Sequence, residues 1–210
     1  MDEMSNGRRE YAGPVADRTP ARLDPGRAQI RDAATMRALA HPARIAILDR
    51  LFEGGAPATA TELAEVCGLS PSATSYHLRE LAKAQLIEEA PSRGDGRERV
   101  WRSHLKGLNI EAGPEGGAAE KAADRELSVM FLEIEDARAR AWLARRDDEP
   151  YEWYTAATSA DLQIQVTADE LRELNDQVFA LFERYARSRR PDPPEGSRQV
   201  NVTYRSFPRI

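Results

Sequence analysis

The sequence TATELAEVCGLSPSATSYHLRELAKAQLIEEA, residues 59–90, decides the fold of this chain. Its first residues follow the capping-box pattern, in which the side chains of Thr59 and Glu62 each accept a hydrogen bond from the other residue's backbone N–H. The helix that begins there is expected to end at Gly68, because glycine adopts positive φ without a steric penalty. The pattern therefore predicts a short helix followed by a tight turn.

A second helix begins directly after that turn. Ser70 is a preferred N-cap residue, and Pro71 suits the first helical position because it has no N–H to leave unpaired. Leu78 and Leu81, with Thr74 one turn earlier, form the row that faces inward. Two helices joined in this way hold the second at a defined angle, which is how a helix-turn-helix places a helix in the major groove of DNA.

Two further helices are predicted before this pair. The first begins near Arg27 and ends at His41, because the residue before a proline is disfavoured in the helical region. The second begins at Pro42 and ends at Gly54 and Gly55. Its apolar row has helical spacing and consists of Ile45, Ala46, Leu48, Leu51 and Phe52.

A hairpin is predicted after the pair. Residues 86–90 and 97–103 have the composition of strands, and residues 91–96 between them are rich in Gly, Pro and Ser. The hairpin carries four arginines, Arg93, Arg97, Arg99 and Arg102. Residues 27–110 hold 12 Lys and Arg against 10 Asp and Glu, a net charge of +2, whereas the whole chain has −5. This weakly positive segment is the part of the chain that suits an anionic partner.

Three stretches resemble the ArsR-type winged helix-turn-helix regulators. They are ALAHPARIAILDRL at 38–51, TELAEVCGLSPSATSYHLRELAKAQLIEE at 61–89 and GDGRERVWR at 94–102. The resemblance covers residues 31–106, and it implies a homodimer that binds double-stranded DNA with two-fold symmetry and represses transcription until a signal relieves it. Beyond it, the chain departs from the family, whose core normally ends with one dimerising helix.

The resemblance places the DNA contacts on the second helix of the pair and on the hairpin, or wing. The candidate residues are Ser70, Ser72, Ala73, Ser75, Tyr76, His77, Arg79, Arg93, Arg97 and Arg99. Ser and Arg are also common on solvated helix faces, and the wing arginines have Glu88, Glu89, Asp95 and Glu98 nearby as ion-pair partners. A winged helix that binds a partner protein instead of DNA is the alternative, because the charge of +2 is small.

Metal sensing and catalysis are not expected. Metal-sensing relatives use several cysteines or His/Asp/Glu sets, whereas this chain has one cysteine, Cys67, and a long C-terminal helix without His or Cys. The sequence contains no nucleophile–base pair and no Gly-rich phosphate loop after a strand. We therefore predict a protein that is not an enzyme and binds no cofactor. It has neither an apolar signal-peptide core nor a membrane-length apolar run, so a cytoplasmic location is expected.

The predicted fold class is α+β, with a winged helix-turn-helix domain at 27–110. A disordered tail at 1–26 precedes it, and a linker at 111–118 leads to a C-terminal dimerisation and possible ligand-sensing domain at 119–210. That domain begins with an amphipathic helix over 119–146. A small strand–helix–strand unit follows, in which apolar residues alternate at 162–166 and 200–204 on either side of a helix opened by a capping box at 167–170.

Four aromatic residues of the C-terminal part are candidates for binding a small organic effector. They are Trp142, Tyr151, Trp153 and Tyr154. Aromatic residues in such a segment are more often part of a core or of a dimer interface, and that alternative is favoured.

Overall fold

The computed structural model describes residues 27–54, 56–92, 98–105, 107–186, 190 and 192–209, without the side chains of residues 53 and 54. The predicted tail at 1–26, residues 93–96 of the predicted wing turn and Arg97 lie outside the described residues. The fold class is α+β, as the sequence predicts.

The N-terminal half contains five short strands and four helices. In chain order these are β1 (Arg27–Ile30), α1 (Ala33–Leu39), α2 (Pro42–Gly54), β2 (Ala58–Thr59), α3 (Ala60–Cys67), α4 (Pro71–Lys83), β3 (Glu88–Ala90), β4 (Val100–Arg102) and β5 (Gly107–Ile110). Strands β2, β4 and β3 form an antiparallel sheet in that order. Trp101 lies opposite Ala58 on one side and Glu89 on the other, so the wing hairpin is joined to the start of α3.

The C-terminal half is helical. It consists of α5 (Ala118–Leu143), a single 3₁₀ turn (Arg146–Asp148), α6 (Tyr151–Ala156) and α7 (Ala168–Glu183). The 26 residues of α5 make it about 39 Å long. Helix α7 begins with the predicted capping box, in which the side chains of Thr167 and Glu170 bond each other's backbone N–H.

The hydrophobic core lies between α1, α2, α3, α4 and the first half of α5. Its fully buried side chains include Met36, Leu39, Ile47, Leu48, Leu51, Leu63, Leu78, Leu81, Leu86 and Leu127. Helix α5 packs against α1, and Ala123 and Leu127 enter the same core. The first half of α5 is therefore part of the winged-helix fold, although the sequence places it in a second domain.

The start of the fold differs from the sequence prediction. The helix expected from Arg27 begins only at Ala33, where the Asp32 side chain accepts a hydrogen bond from the Thr35 backbone N–H at 2.8 Å. Residues Arg27–Ile30 instead form β1, which pairs in parallel with β5. The apolar spacing at this end of the chain suits a helix, but the capping carboxylate and a strand 80 residues away determine the outcome.

The prediction of two strands in the C-terminal part is wrong for the described single chain. Of the strand–helix–strand unit, only the helix α7 is present, and residues 162–166 and 200–204 join no ladder in the described structure. An alternating pattern predicts the faces of a strand, but a strand also needs a neighbour to accept its backbone hydrogen bonds.

Candidate nucleic-acid interface

The turn between α3 and α4 has the geometry that its sequence predicts. The Thr59 hydroxyl oxygen accepts a hydrogen bond from the Glu62 N–H at 3.2 Å, and the Glu62 carboxylate accepts one from the Thr59 N–H at 2.7 Å. Gly68 has a φ of +63°, in the left-handed region, and its N–H ends α3 by bonding backward to Glu65. The capping box stabilises the start of α3, and the left-handed Gly68 ends this helix before the turn into α4.

The N-terminus of α4 is capped and carries no acidic residue in its first turn. The Ser70 hydroxyl oxygen accepts a hydrogen bond from the Ala73 N–H at 3.2 Å, and Pro71 is the first helical residue. Aligned peptide dipoles leave partial positive charge at this end of a 13-residue helix. The end of α4 is therefore suited to a phosphate group.

One face of α4 is anchored in the core. Thr74, Leu78 and Leu81 are fully buried, and the Thr74 hydroxyl donates to the Ser70 carbonyl at 3.0 Å. His77 is also buried, and its ring lies against the ring of His41 with 4.3 Å between centroids. Burial lowers the pKa of His77, and the nearby His41 and Arg44 lower it further.

The inclusion of His77 among the DNA-contacting residues therefore needs correction. Its side chain is only 7% exposed, because the imidazole fills the space between α4 and the start of α2. The ring therefore lies on the core side of α4 and not on its exposed face. Sequence analysis missed this contact because His41 and His77 are far apart in the chain.

The opposite face of α4 is open to solvent. Ser72, Tyr76 and Arg79 are exposed, and Ala73 and Ser75 are half-buried between them. Ser75 is partly engaged, since its hydroxyl donates to the Pro71 carbonyl at 2.8 Å. Tyr76 is 50% exposed, and the edge of its ring stands on His77 with 5.4 Å between centroids. Arg79 forms no ion pair in the described part of the chain.

The wing arginines that the structure describes are paired with acidic residues of β3. Arg99 lies 3.2 Å from the Glu89 carboxylate, and Arg102 lies 2.8 Å from that of Glu88. All four side chains are largely exposed, so these pairs contribute little to stability and exchange readily for other partners. Arg93 and Arg97 lie outside the described residues.

The four aromatic residues proposed for effector binding do not line a common cavity. The Trp153 ring is covered by the guanidinium of Arg198 at 4.7 Å, and Arg198 is held in turn by Glu149 at 2.6 Å. Tyr154 stacks with Arg146, Tyr151 is fully exposed and Trp142 is half-buried. A cavity of about 200 Å³ lies elsewhere, between α2, β5 and α5, and is lined mainly by Ile45, Leu48, Phe52, Leu108, Ile110 and Phe131.

The described residues contain no cluster of three or more His, Cys, Asp or Glu side chains placed to hold a metal ion. None of their helices combines the length and apolar character needed to cross a membrane. The Cys67 thiol is half-buried beside the Ala43 carbonyl at 3.5 Å, and burial raises its pKa. A raised pKa disfavours the reactive thiolate.

Comparison with known proteins points to the same segment. Residues 39–90 match the family model described as a helix-turn-helix domain. Over 71 residues the chain is 41% identical to the HTH-type transcriptional regulator NmtR of Mycobacterium tuberculosis, which covers 34% of this chain. The chain spans 57% of the length of that relative.

Two solved structures are also similar. One is the homodimeric winged helix-turn-helix DNA-binding domain of a possible ArsR-family transcriptional regulator from Mycobacterium bovis, with 20% identity, a TM-score of 0.31, and coverage of 51% of this chain and 82% of that one. The other is Lactococcus lactis ZitR, with 19% identity, a TM-score of 0.28, and coverage of 70% and 83%.

Capped helices α3 and α4, a glycine turn between them and an antiparallel wing define the N-terminal half as a winged helix-turn-helix domain. The helix-turn-helix family model and the 41% identity to a regulator cover the same region. The domain therefore has a helix-turn-helix fold and is similar in sequence to a transcriptional regulator.

Proposed function

We propose that this protein is a sequence-specific transcriptional regulator that binds double-stranded DNA with α4. The observation that supports this proposal is the division of α4 into two faces. Thr74, Leu78 and Leu81 bury one face of α4 in the core. Tyr76 and Arg79 project from the other face, and Arg79 has no ion-pair partner among the described residues. A rigidly held helix that presents such side chains suits contacts to base edges.

We assign contacts to the DNA backbone to the N-terminus of α4 and to the wing. The capped N-terminus, with Ser70 and Ser72 exposed beside it, suits one phosphate. Arg99 in the wing suits a second, because a phosphate can replace the exposed carboxylate of Glu89 as its partner. Phosphate contacts of this kind position the protein, and base contacts provide the sequence preference.

We further propose a homodimeric repressor. Helix α5 supports a dimer, because its residues Val129 and Leu132 are exposed while Leu127 and Phe131 face the core. An operator with two-fold symmetry follows from a two-fold dimer. Repression is the form of regulation that the ArsR resemblance implies. A reporter gene placed behind the operator should be expressed more strongly when the protein is absent.

The decisive test is a DNA-binding titration against a library of genomic fragments at two salt concentrations. We expect tight binding to a two-fold symmetric site, with an affinity that falls steeply as salt rises. Arg79→Glu should weaken binding to that site by at least tenfold. Arg37→Glu on α1 is the matched control, because Arg37 is also exposed, lies outside α4 and the dimer surface proposed on α5, and forms no ion pair in the described structure.

The titration also separates DNA binding from the alternative of a protein-interaction module. A folded dimer that binds no fragment more tightly than random DNA would contradict the proposal. Equal losses in the Arg79→Glu and Arg37→Glu variants would contradict the assignment to α4, since the effect would then reflect net charge alone.

A further inference from the structure

The segments 162–166 and 200–204 form no backbone ladder within the described part of the chain. Their apolar residues, Leu162, Ile164, Val166, Val200 and Val202, are between 42 and 80% exposed. No backbone group of either segment bonds to another backbone group in the described structure. Both segments are also free of charged residues, which natural edge strands use to prevent pairing with another chain.

Helix α7, between the two segments, is equally uncovered. It has apolar residues on one face and charged residues on the other, yet none of its residues is fully buried. Phe179 and Phe182 contact the ring of Tyr204, but Leu181 remains about half exposed. An amphipathic helix of this kind gains stability by covering its apolar face.

The two segments are complementary in one antiparallel register. With Ile164 opposite Val202, the apolar pairs are Leu162 with Tyr204 and Val166 with Val200, all on one face. The other face then pairs Gln163 with Thr203 and Gln165 with Asn201. The same register places Asp161 opposite Arg205, so the ends of the two segments carry opposite charges. Asp161 has no ion-pair partner among the described residues.

Within one chain, residues 204–209 do not adopt this register. The Tyr204 hydroxyl bonds Asn175 at 2.9 Å, the Ser206 hydroxyl bonds Asn175 at 2.8 Å, and Arg205 pairs with Glu135 of α5. Arg209 reaches Gln163 at 3.3 Å, the position that the complementary register gives to Thr203. These contacts hold residues 204–209 along α7. Arg209, and not Thr203, lies beside Gln163, so the segment is shifted by six residues from the complementary register.

We propose that residues 162–166 of one copy pair with residues 200–204 of a second copy, as an antiparallel ladder that occurs twice about a two-fold axis. The apolar face of the two ladders then covers α7, and Asp161 gains the partner's Arg205. Such an exchange makes the C-terminal region a second interface, in addition to the surface of α5. The inference rests on the proposed homodimer and is independent of DNA binding.

Disulfide trapping between two tagged variants tests which residues lie opposite each other and whether the paired strands belong to two chains or to one. Gln165→Cys and Asn201→Cys are placed on separate chains, both with Cys67→Ser, and both positions lie on the polar face of the ladder. Opposite residues of antiparallel strands lie about 4.5–5.5 Å apart at Cα, within the range of a disulfide. Oxidation of the mixture should yield mainly the mixed cross-linked dimer, and each variant alone should yield little.

The outcomes distinguish the possible partners. A double variant, Gln165→Cys with Asn201→Cys in one chain, that closes its disulfide within monomers would overturn the proposal in favour of pairing inside the chain. A dimer without the mixed cross-link would also overturn it, while leaving the homodimer intact. A monomer in sedimentation would overturn both.

A second pair of variants tests the interface without cysteines. Val202→Lys should raise the dimer dissociation constant at least tenfold, because it places a charge on the apolar face of the ladder. Asn201→Lys changes the neighbouring residue on the polar face and should leave the constant within about twofold. Equal effects of the two substitutions would contradict the proposed faces.

Discussion

The imidazole rings of His41 and His77 lie against each other on the core side of α4, with their centroids 4.3 Å apart and their planes tilted by 43°. His41 stands at the start of α2, where its Nδ1 accepts a hydrogen bond from the Ala43 N–H at 3.1 Å. His77 is buried, and its Nδ1 has no partner in the described structure. This contact joins α2 to the underside of the helix that we assign to DNA.

The buried His77 predicts that the folded protein loses stability at acid pH. Burial, with the nearby His41 and Arg44, lowers the pKa of His77 in the folded protein below its ordinary value of 6.5. The folded state therefore binds fewer protons than the unfolded state, and stability falls as the pH drops below 6.5 through the lowered pKa. Urea unfolding between pH 8 and pH 5 measures this effect.

The control for that measurement is His77→Gln, which keeps a polar side chain but removes the titrating group. The variant should be less stable at pH 8 and should lose less free energy of unfolding between pH 8 and pH 5 than the unsubstituted protein. An identical pH profile in both proteins would assign the acid sensitivity to other groups.

The capping box at α3 predicts a second effect. Thr59→Ala removes the hydroxyl oxygen that accepts from the Glu62 N–H, and should lower the free energy of unfolding by about 1 kcal/mol. Thr61→Ala changes an exposed threonine inside the same helix and should cause no loss. Thermal unfolding of both variants measures the difference, and equal losses would show that the cap is not responsible.

Gly68 predicts a purely conformational cost. A Cβ at this position would meet no atom within 4 Å, so Gly68→Ala should destabilise only through its φ of +63°, by about 1–2 kcal/mol. Gly68→Asn should cost less, because asparagine tolerates the left-handed region. Chemical unfolding ranks the variants, and a larger loss for Asn than for Ala would argue against strain as the cause.

The wing predicts a gain in DNA affinity. Glu89→Gln removes the carboxylate that pairs with Arg99 and that would repel an approaching phosphate. Binding should tighten by a few-fold, corresponding to about 0.2–1 kcal/mol. Glu115→Gln, an exposed substitution before α5, makes the same change in net charge and is the control. Titrations at one fixed salt concentration compare them, and equal gains would indicate a non-specific effect of charge.

Helix α5 predicts two separable effects. Leu127→Ala should lower the free energy of unfolding by about 2–5 kcal/mol, because Leu127 is only 1% exposed in the shared core. Val129→Ala should change it little in the monomer, because Val129 is 54% exposed. The second variant should instead weaken the dimer in sedimentation velocity. A large loss of monomer stability from Val129→Ala would contradict its assignment to the dimer interface.

Much of the helix-turn-helix could be predicted from the sequence, because its signals are local. The capping box of Thr59 and Glu62, the positive φ of Gly68 and the cap at Ser70 each depend on residues within a few positions of one another. The structure confirms all three. The exposed face of α4 follows from the same periodicity, whereas the burial of His77 argues against its inclusion among the DNA contacts.

Contacts between distant residues could not be predicted in this way. The His41–His77 pair, the parallel pairing of β1 with β5 and the entry of Leu127 into the core have no local signature. The hairpin of the wing could be predicted from the sequence. Whether Arg99 is free to contact DNA or pairs with a nearby carboxylate could not, and in the structure it pairs with Glu89.

The sequence by itself determined where α2, α3, α4 and α7 begin, because caps, prolines and helical spacing act over a few residues. Only the tertiary structure decided that residues 27–30 form a strand, that His77 is buried and that residues 162–166 and 200–204 join no ladder in the described part of the chain. These outcomes depend on which groups from distant parts of the chain are available for hydrogen bonding and packing, and no local pattern records that availability.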